Sequence, residues 1–204
     1  RELLNRLKAV KPALKGTKFS FKPEKGYVSA TCPWGNRFRI YSPGKRFGRM
    51  ALGIAYVEFD VPRNTAAGIA RFYREIVSAP ATFRKTNGVA VHIQVGDGQQ
   101  LVFRETAKKI PKFDGHHIQI YIADFSGPYE KLLDRDLISE ESSQHQYRFE
   151  DIVDLDTGKV LFTLDHEMRS LTHPLFARPL VNRNPDQSNV AFGAGHETRS
   201  WALP

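Results

Sequence analysis

A chain of 204 residues that is 41% hydrophobic and 25% charged can bury a real core in one large domain or two small ones, which excludes a disordered or fibrous protein. Its longest apolar stretches are strand-length, which excludes a transmembrane helix. A single cysteine, Cys32, excludes an internal disulfide framework and fits a reducing compartment. The expected setting is cytoplasmic, with no secretory signal and no membrane association.

The net charge of +8 is unevenly spread, because residues 1–49 hold thirteen Lys/Arg against two Glu while the remainder is slightly acidic. A basic segment of this kind attracts nucleic acid or anionic ligands. Its charges are scattered among turns rather than run together, so a solvated face is the simpler reading and nucleic acid is disfavoured as a partner.

In chain order, ELLNRLKAVKPALKG (2–16) predicts a helix that Pro12 ends or kinks. CPWGNRFRIYSP (32–43) predicts a glycine turn before a strand. YVEFDV (56–61) alternates as a strand and runs into a helix capped by Asn64 or Thr65, with Ala66, Ile69, Ala70, Tyr73 and Ile76 as its buried stripe. VGDGQQLVFRE (95–105) is a second glycine turn and closing strand. HIQIYI (117–122) then repeats the strand-to-helix pattern, with Ser126 as cap, Pro128 in the first turn and Tyr129, Leu132 and Leu133 on the apolar face. DLDTGKVLFTLDHE (154–167) repeats the turn and closing strand. Gly35, Gly98 and Gly158 mark the three turns at near-constant spacing, which predicts one β-α-β-β-β unit used three times. The expected domains are the C-terminal part of a first module at 1–50, a second module at 51–110, a third at 111–170 and an extended tail at 171–204.

The repeat, the FYRE sequence within the helix and the CPWGN turn before a last strand resemble the vicinal oxygen chelate superfamily. That group includes glyoxalase I, extradiol dioxygenases and bleomycin or fosfomycin resistance proteins. The resemblance covers residues 1 to about 168 in pattern and is best over 51–168. It implies an α+β fold of tandem β-α-β-β-β modules whose curled mixed sheets enclose a cavity. It also implies a divalent metal (Fe, Mn, Zn or Ni) held by His, Glu or Gln from the first and last strands of paired modules.

Strand alternation assigns side chains to that cavity. Val57, Phe59 and Val61 pack under the helix, which leaves Tyr56, Glu58 and Asp60 on the other face; Ile118, Ile120 and Ile122 likewise leave His117, Gln119 and Tyr121. His117 falls at the family's first-strand ligand position, and His116 points away from it. On the closing strands the family's acidic position falls near Val102 and Thr163, neither of which is acidic. The expected metal ligands are His117 and Asp165, with Glu58, His92 and Glu167 as the other candidates by rearrangement. Glu58, His92 and Tyr121 are the candidate acid–base groups, and Tyr56, Asp60, Gln119 and Arg104 are the candidate substrate contacts. In the early copy the closing-strand position that matches Val102 and Thr163 is about Arg39.

Past the last strand, His166, Glu167, Arg169, His173, Arg178, Asn182 and Arg183 read as edge or partner packing, or as a basic lid over an anionic substrate. Walker, G-x-G-x-x-G, C-x-x-C and H-E-x-x-H motifs are absent. Of three functions, the expected one is a small-molecule enzyme of the vicinal oxygen chelate kind, a lyase, isomerase or dioxygenase with the cavity as its active site. The alternative is a non-catalytic small-molecule binding or resistance protein of the same fold. The third is an interaction or nucleic-acid-binding module using the basic first 49 residues. A homodimer would accommodate the odd first module.

Overall fold

The computed structural model describes residues 2–50, 52–85, 88–143 and 145–176. The chain forms two compact units, Arg1–Leu52 and Gly53–Pro204.

The first unit is a helix followed by a three-stranded antiparallel sheet. Helix α1 (Glu2–Val10) stops before Pro12, which opens a 3-10 turn, as expected of a residue with no N–H to donate. Strands β1 (Ser20–Glu24), β2 (Tyr27–Thr31) and β3 (Arg37–Tyr41) follow in spatial order. Their register places Phe21, Ala30 and Phe38 on one face and Lys22, Ser29 and Arg39 on the other.

The second unit contains two complete modules. Module A comprises β4 (Tyr56–Pro62), α2 (Ala66–Glu75), β5 (Ala81–Arg84), β6 (Ala90–Gly96) and β7 (Gln99–Thr106). Module B comprises β8 (His117–Ile122), α3 (Ser126–Leu133), β9 (Ile138–Ser143), β10 (Gln146–Val153) and β11 (Val160–Ser170). The sheets are ordered β4-β7-β6-β5 and β8-β11-β10-β9. In each, the opening strand runs parallel to the closing one and every other pair is antiparallel. The helix makes this possible, since a parallel return needs a long crossover. Gly35, Gly98 and Gly158 all sit at positive φ, at 112°, 68° and 70°; a side chain at any of the three would be strained.

The apolar faces of both sheets feed one core. Ala66, Ile69, Ala70, Tyr73 and Ile76 are buried as the helical period predicts, and Phe72 joins them. Phe72 extends the stripe toward module B, where it meets Phe149 at 5.8 Å between ring centroids. Phe59 and Phe103 of module A meet Phe162 of module B in the same way, at 6.1 and 6.0 Å. Helix α2 therefore packs against both sheets, and it lies so near β11 that a Cβ on Gly68 would stand 2.5 Å from Leu161.

The helix starts differ from the expected caps. Thr65 precedes α2, but its hydroxyl donates to the Pro62 carbonyl at 2.7 Å. The Ala66 N–H is satisfied instead by Glu105 from the end of β7 at 3.0 Å, a carboxylate placed where the helix dipole favours one. Ser126 is the first residue of α3 rather than its cap, and Asp124 accepts the Gly127 N–H at 2.9 Å. Leu133 is exposed because Leu132 and Pro128 already fill the buried face of this two-turn helix. Among the described residues no helix is long and apolar enough to cross a membrane.

Candidate functional site

Each sheet of the second unit carries a polar face opposite the shared core, and the strand registers align the two faces row by row. In module A one row reads Glu58, Val102, His92, Thr82 across β4, β7, β6 and β5. The matching row of module B reads Gln119, Glu167, Arg148, Glu140 across β8, β11, β10 and β9. The rows on one side are Tyr56, Gln100, Gln94 and, in module B, His117, Asp165. Those on the other side are Asp60, Arg104, Ala90 and Tyr121, Arg169, Gln146.

The register corrects the alignment read from the sequence. The residue of module B that matches Val102 is Glu167, not Thr163. Strand β11 runs on past the Gly158 turn before it meets β8 at Asp165, whereas β7 meets β4 at Gln100, directly after the Gly98 turn. An acidic side chain does therefore stand at the closing-strand position of module B. Alternation puts Glu167 on the same face as Thr163 and Asp165, but aligning the two strands on their turn glycines selects Thr163.

In module A, Glu58 and Arg104 form a two-pronged ion pair, with Nε to Oε1 and Nη2 to Oε2 both at 3.0 Å. The hydrogen-bonded Glu58 carboxylate holds the Arg104 guanidinium above its ordinary pKa. His92 is half-buried, and its Nδ1 lies 3.0 Å from Gln100 Oε1. An amide oxygen only accepts, so Nδ1 carries the proton there. Tyr56 and Asp60 are exposed.

Module B is more enclosed. Asp165 and Glu167 are both buried, and Arg148 reaches both: Nη1 donates to Asp165 Oδ2 at 2.6 Å, and Nη2 donates to Glu167 Oε2. Glu140 lies 3.7 Å from Arg148 Nε, and Arg169 pairs with Glu167 Oε1. Burial works against the Arg148 charge, and Glu167 and Asp165 more than offset it. Arg169 also donates to Tyr121 Oη at 3.3 Å and to Gln146 at 2.8 Å. Tyr121 packs 5.4 Å from Phe176 between ring centroids. His117 and Gln119 are exposed, beside Asp165 and Glu167. His116 turns to the other side, bonded to Asp114 at 2.7 Å and stacked 6.1 Å from Phe59.

The expected site residues thus fall into two groups. Glu58, Asp60, Arg104, Tyr56 and His92 share the face of module A, while His117, Gln119, Tyr121 and Asp165 share that of module B. Sequence reasoning missed Arg148. In HQYRFED (145–151), the signal was an arginine flanked by the alternating apolar positions Tyr147 and Phe149.

Module B's donors can be tested directly against a divalent cation. Asp165 Oδ1 is buried and without a hydrogen-bond partner among the described residues, and His117 is its neighbour on β8. The other three carboxylate oxygens of Asp165 and Glu167 face guanidinium groups. Among the described residues no three His, Cys, Asp or Glu side chains are grouped to hold a metal ion. With Arg148 on Asp165 Oδ2 and no third donor grouped with His117 and Asp165 among the described residues, this donor set does not fit a metal.

A buried histidine lies behind these faces. His166 stacks on Phe149 at 4.1 Å and 9°. Its Nδ1 lies 2.5 Å from the Leu164 carbonyl and its Nε2 lies 2.6 Å from Tyr73 Oη. The carbonyl only accepts, so Nδ1 carries the proton and Nε2 accepts from the tyrosine. Burial lowers the His166 pKa to about 3. The residue joins the two modules and takes no part in the polar faces.

Modules A and B repeat one β-α-β-β-β path. Several solved structures are similar to the chain over somewhat more than half its length. A possible glyoxalase from Bacillus cereus is 14% identical over 58% of this chain and 99% of its own, with a TM-score of 0.42. The FosX fosfomycin resistance protein of Listeria monocytogenes is 12% identical over 59% and 92%, with a TM-score of 0.42. The trypanothione-dependent glyoxalase I of Leishmania major is 14% identical over 58% and 86%, with a TM-score of 0.42. No family model matches the sequence, and no curated protein matches it either.

Proposed function

We propose that the chain is a small-molecule binding protein of the vicinal oxygen chelate type, which holds its ligand on the polar faces of modules A and B without a resident metal. The observation that carries this reading is Arg148. It occupies the register position of His92 and takes up the two carboxylates that a metal centre or an acid–base pair would use. Glu58 is committed to Arg104 in the same manner. Around these pairs the two faces carry further hydrogen-bonding groups: Tyr56, Asp60, His117 and Gln119 at the surface, with His92 and Tyr121 half-buried. Such groups orient a polar ligand. A homodimer in which a second copy covers these faces belongs to the reading, since the apolar sides of both sheets are already spent on the core. The soluble, cytoplasmic setting expected from composition also belongs to it.

The metal-dependent lyase, isomerase or dioxygenase is the competing function, with His117 and Asp165 as ligands. Thermal-shift titration against organic acids, phosphonates and polar aromatic antibiotics, with EDTA and with added Mn(II), separates the two. The binding reading predicts a stabilising compound whose effect survives EDTA and is lost in Gln119→Ala or Arg104→Ala. Stabilisation only with Mn(II), abolished by His117→Ala, would replace it with the metalloenzyme.

A further inference from the structure

The first unit carries a basic and aromatic pocket that the polar faces of modules A and B do not use. It is an open depression of about 400 Å³ between the β1–β2 turn, the end of β3 and the 3-10 turn over Lys45–Phe47. Three cations, Lys25, Lys45 and Arg46, and three aromatics, Tyr27, Tyr41 and Phe47, line it, and no carboxylate does. The unit's two carboxylates are engaged elsewhere, Glu2 with Arg6 at 2.6 Å and Glu24 with Lys22 at 3.1 Å.

The rings form a stepped wall. Tyr27 and Tyr41 are cross-strand partners with centroids 5.1 Å apart, and Phe47 lies 5.3 Å beyond Tyr41. The Arg46 guanidinium stands over both Tyr41 and Phe47, at 4.6 and 5.1 Å. Stacking of this kind holds its planar fork while leaving its N–H donors for an anion.

We propose that this pocket binds a planar aromatic ring bearing phosphate, a ligand of mononucleotide size and charge. The volume lies in the range of small-molecule sites of roughly 300–1,000 Å³, far above what an inorganic anion fills. Three cations without a lining carboxylate select more than one negative charge. The tyrosine wall supplies the faces on which a base stacks, and such stacking tolerates any base. The same chemistry is available from a free nucleotide or from a nucleotide within single-stranded RNA, and the free nucleotide is favoured because the lining is confined to residues 25–27 and 41–47, a single patch rather than a row of stacking sites.

The test is calorimetric titration of the full chain with AMP, adenosine, inorganic phosphate and a ten-nucleotide oligoadenylate. AMP binds saturably, adenosine and phosphate each bind at least about tenfold more weakly, and the triple variant Lys25→Ala/Lys45→Ala/Arg46→Ala loses about tenfold or more. The triple variant leaves the three rings in place, and a circular dichroism melt reports whether its fold is retained. Tyr41→Ala, measured in parallel, weakens AMP more than phosphate. An oligonucleotide that binds no more tightly per strand than AMP supports the free-nucleotide site. One that binds about a hundredfold more tightly, with steep salt dependence, overturns it in favour of a single-strand groove. Absence of saturable AMP binding, or AMP binding untouched by the triple variant, also overturns it.

Discussion

Modules A and B share one chain path and one core, yet their polar faces are built on different principles. In module A the central row places Val102 between Glu58 and His92; an apolar spacer separates the polar groups, and the Glu58–Arg104 pair sits partly in solvent. In module B the same row places Glu167 between Gln119 and Arg148, and the apolar spacer is gone. A buried carboxylate at the centre of a sheet must be matched, and here Arg148 and Arg169 match it. One substitution in the closing strand thus changes what its neighbours must be: a histidine suffices beside valine, and an arginine is required beside glutamate. The two modules show that fold connectivity and site chemistry vary independently.

Removing the match in module B should give the largest effect. Arg148→Ala leaves Asp165 and Glu167 with buried charge and should cost about 3–5 kcal/mol, read as a drop in urea midpoint at constant slope. A change below about 1 kcal/mol would show that module B's face is as solvent-screened as module A's.

The junction between modules should show a pH signature. His166 has an ordinary pKa of 6.5 and a folded value lowered to about 3, so the unfolded chain takes up a proton that the folded chain refuses. Its contribution to stability is complete above about pH 6.5 and is lost as pH falls toward 3, with a limiting slope of about 1.4 kcal/mol per pH unit. Urea titrations between neutral pH and about pH 5 should show this loss in the wild type and a shallower one in His166→Gln. Equal slopes would place the acid sensitivity in other groups.

At the same junction, Tyr73→Phe strands the His166 Nε2 acceptor and should cost about 1–3 kcal/mol. Thermal melts of both proteins at neutral pH measure it, and the loss should shrink in a His166→Gln background, because the two residues act as one pair. The smallest effect belongs to module A. Arg104→Ala breaks a pair whose side chains are 25% and 36% exposed and should cost less than about 1 kcal/mol. A larger loss would erase the contrast between the two faces.

How much of this the sequence carried follows from the length scale of each feature. Alternation in YVEFDV and HIQIYI assigned faces correctly, since period two is local and both strands are regular. The glycine spacing located the turns for the same reason. The stripe on α2 was legible, but its contact with a second sheet was not. Phe72 gave no sign that Phe149, far along the chain, would complete its environment. The caps were misplaced because the carboxylate on Ala66 N–H comes from Glu105, a long-range partner no local motif reveals. The longer run of β11 between its turn and its β8 partner had the greatest consequence. Aligning VLFTLDHE on the turn glycine put Thr163 where the register puts Glu167, although alternation places both on one face. Arg148 was overlooked because its role exists only once Asp165 and Glu167 stand beside it. Arg178, Asn182 and Arg183 of the expected tail lie outside the described residues.

The central claim is that module B's polar face is neutralised by arginine and holds no metal. Metal content by plasma mass spectrometry tests it most directly, on wild type and His117→Ala purified without chelator and after adding back Fe, Mn, Zn and Ni. The account predicts substoichiometric metal, equal in the two proteins. Near-stoichiometric metal in the wild type that disappears in His117→Ala would contradict it.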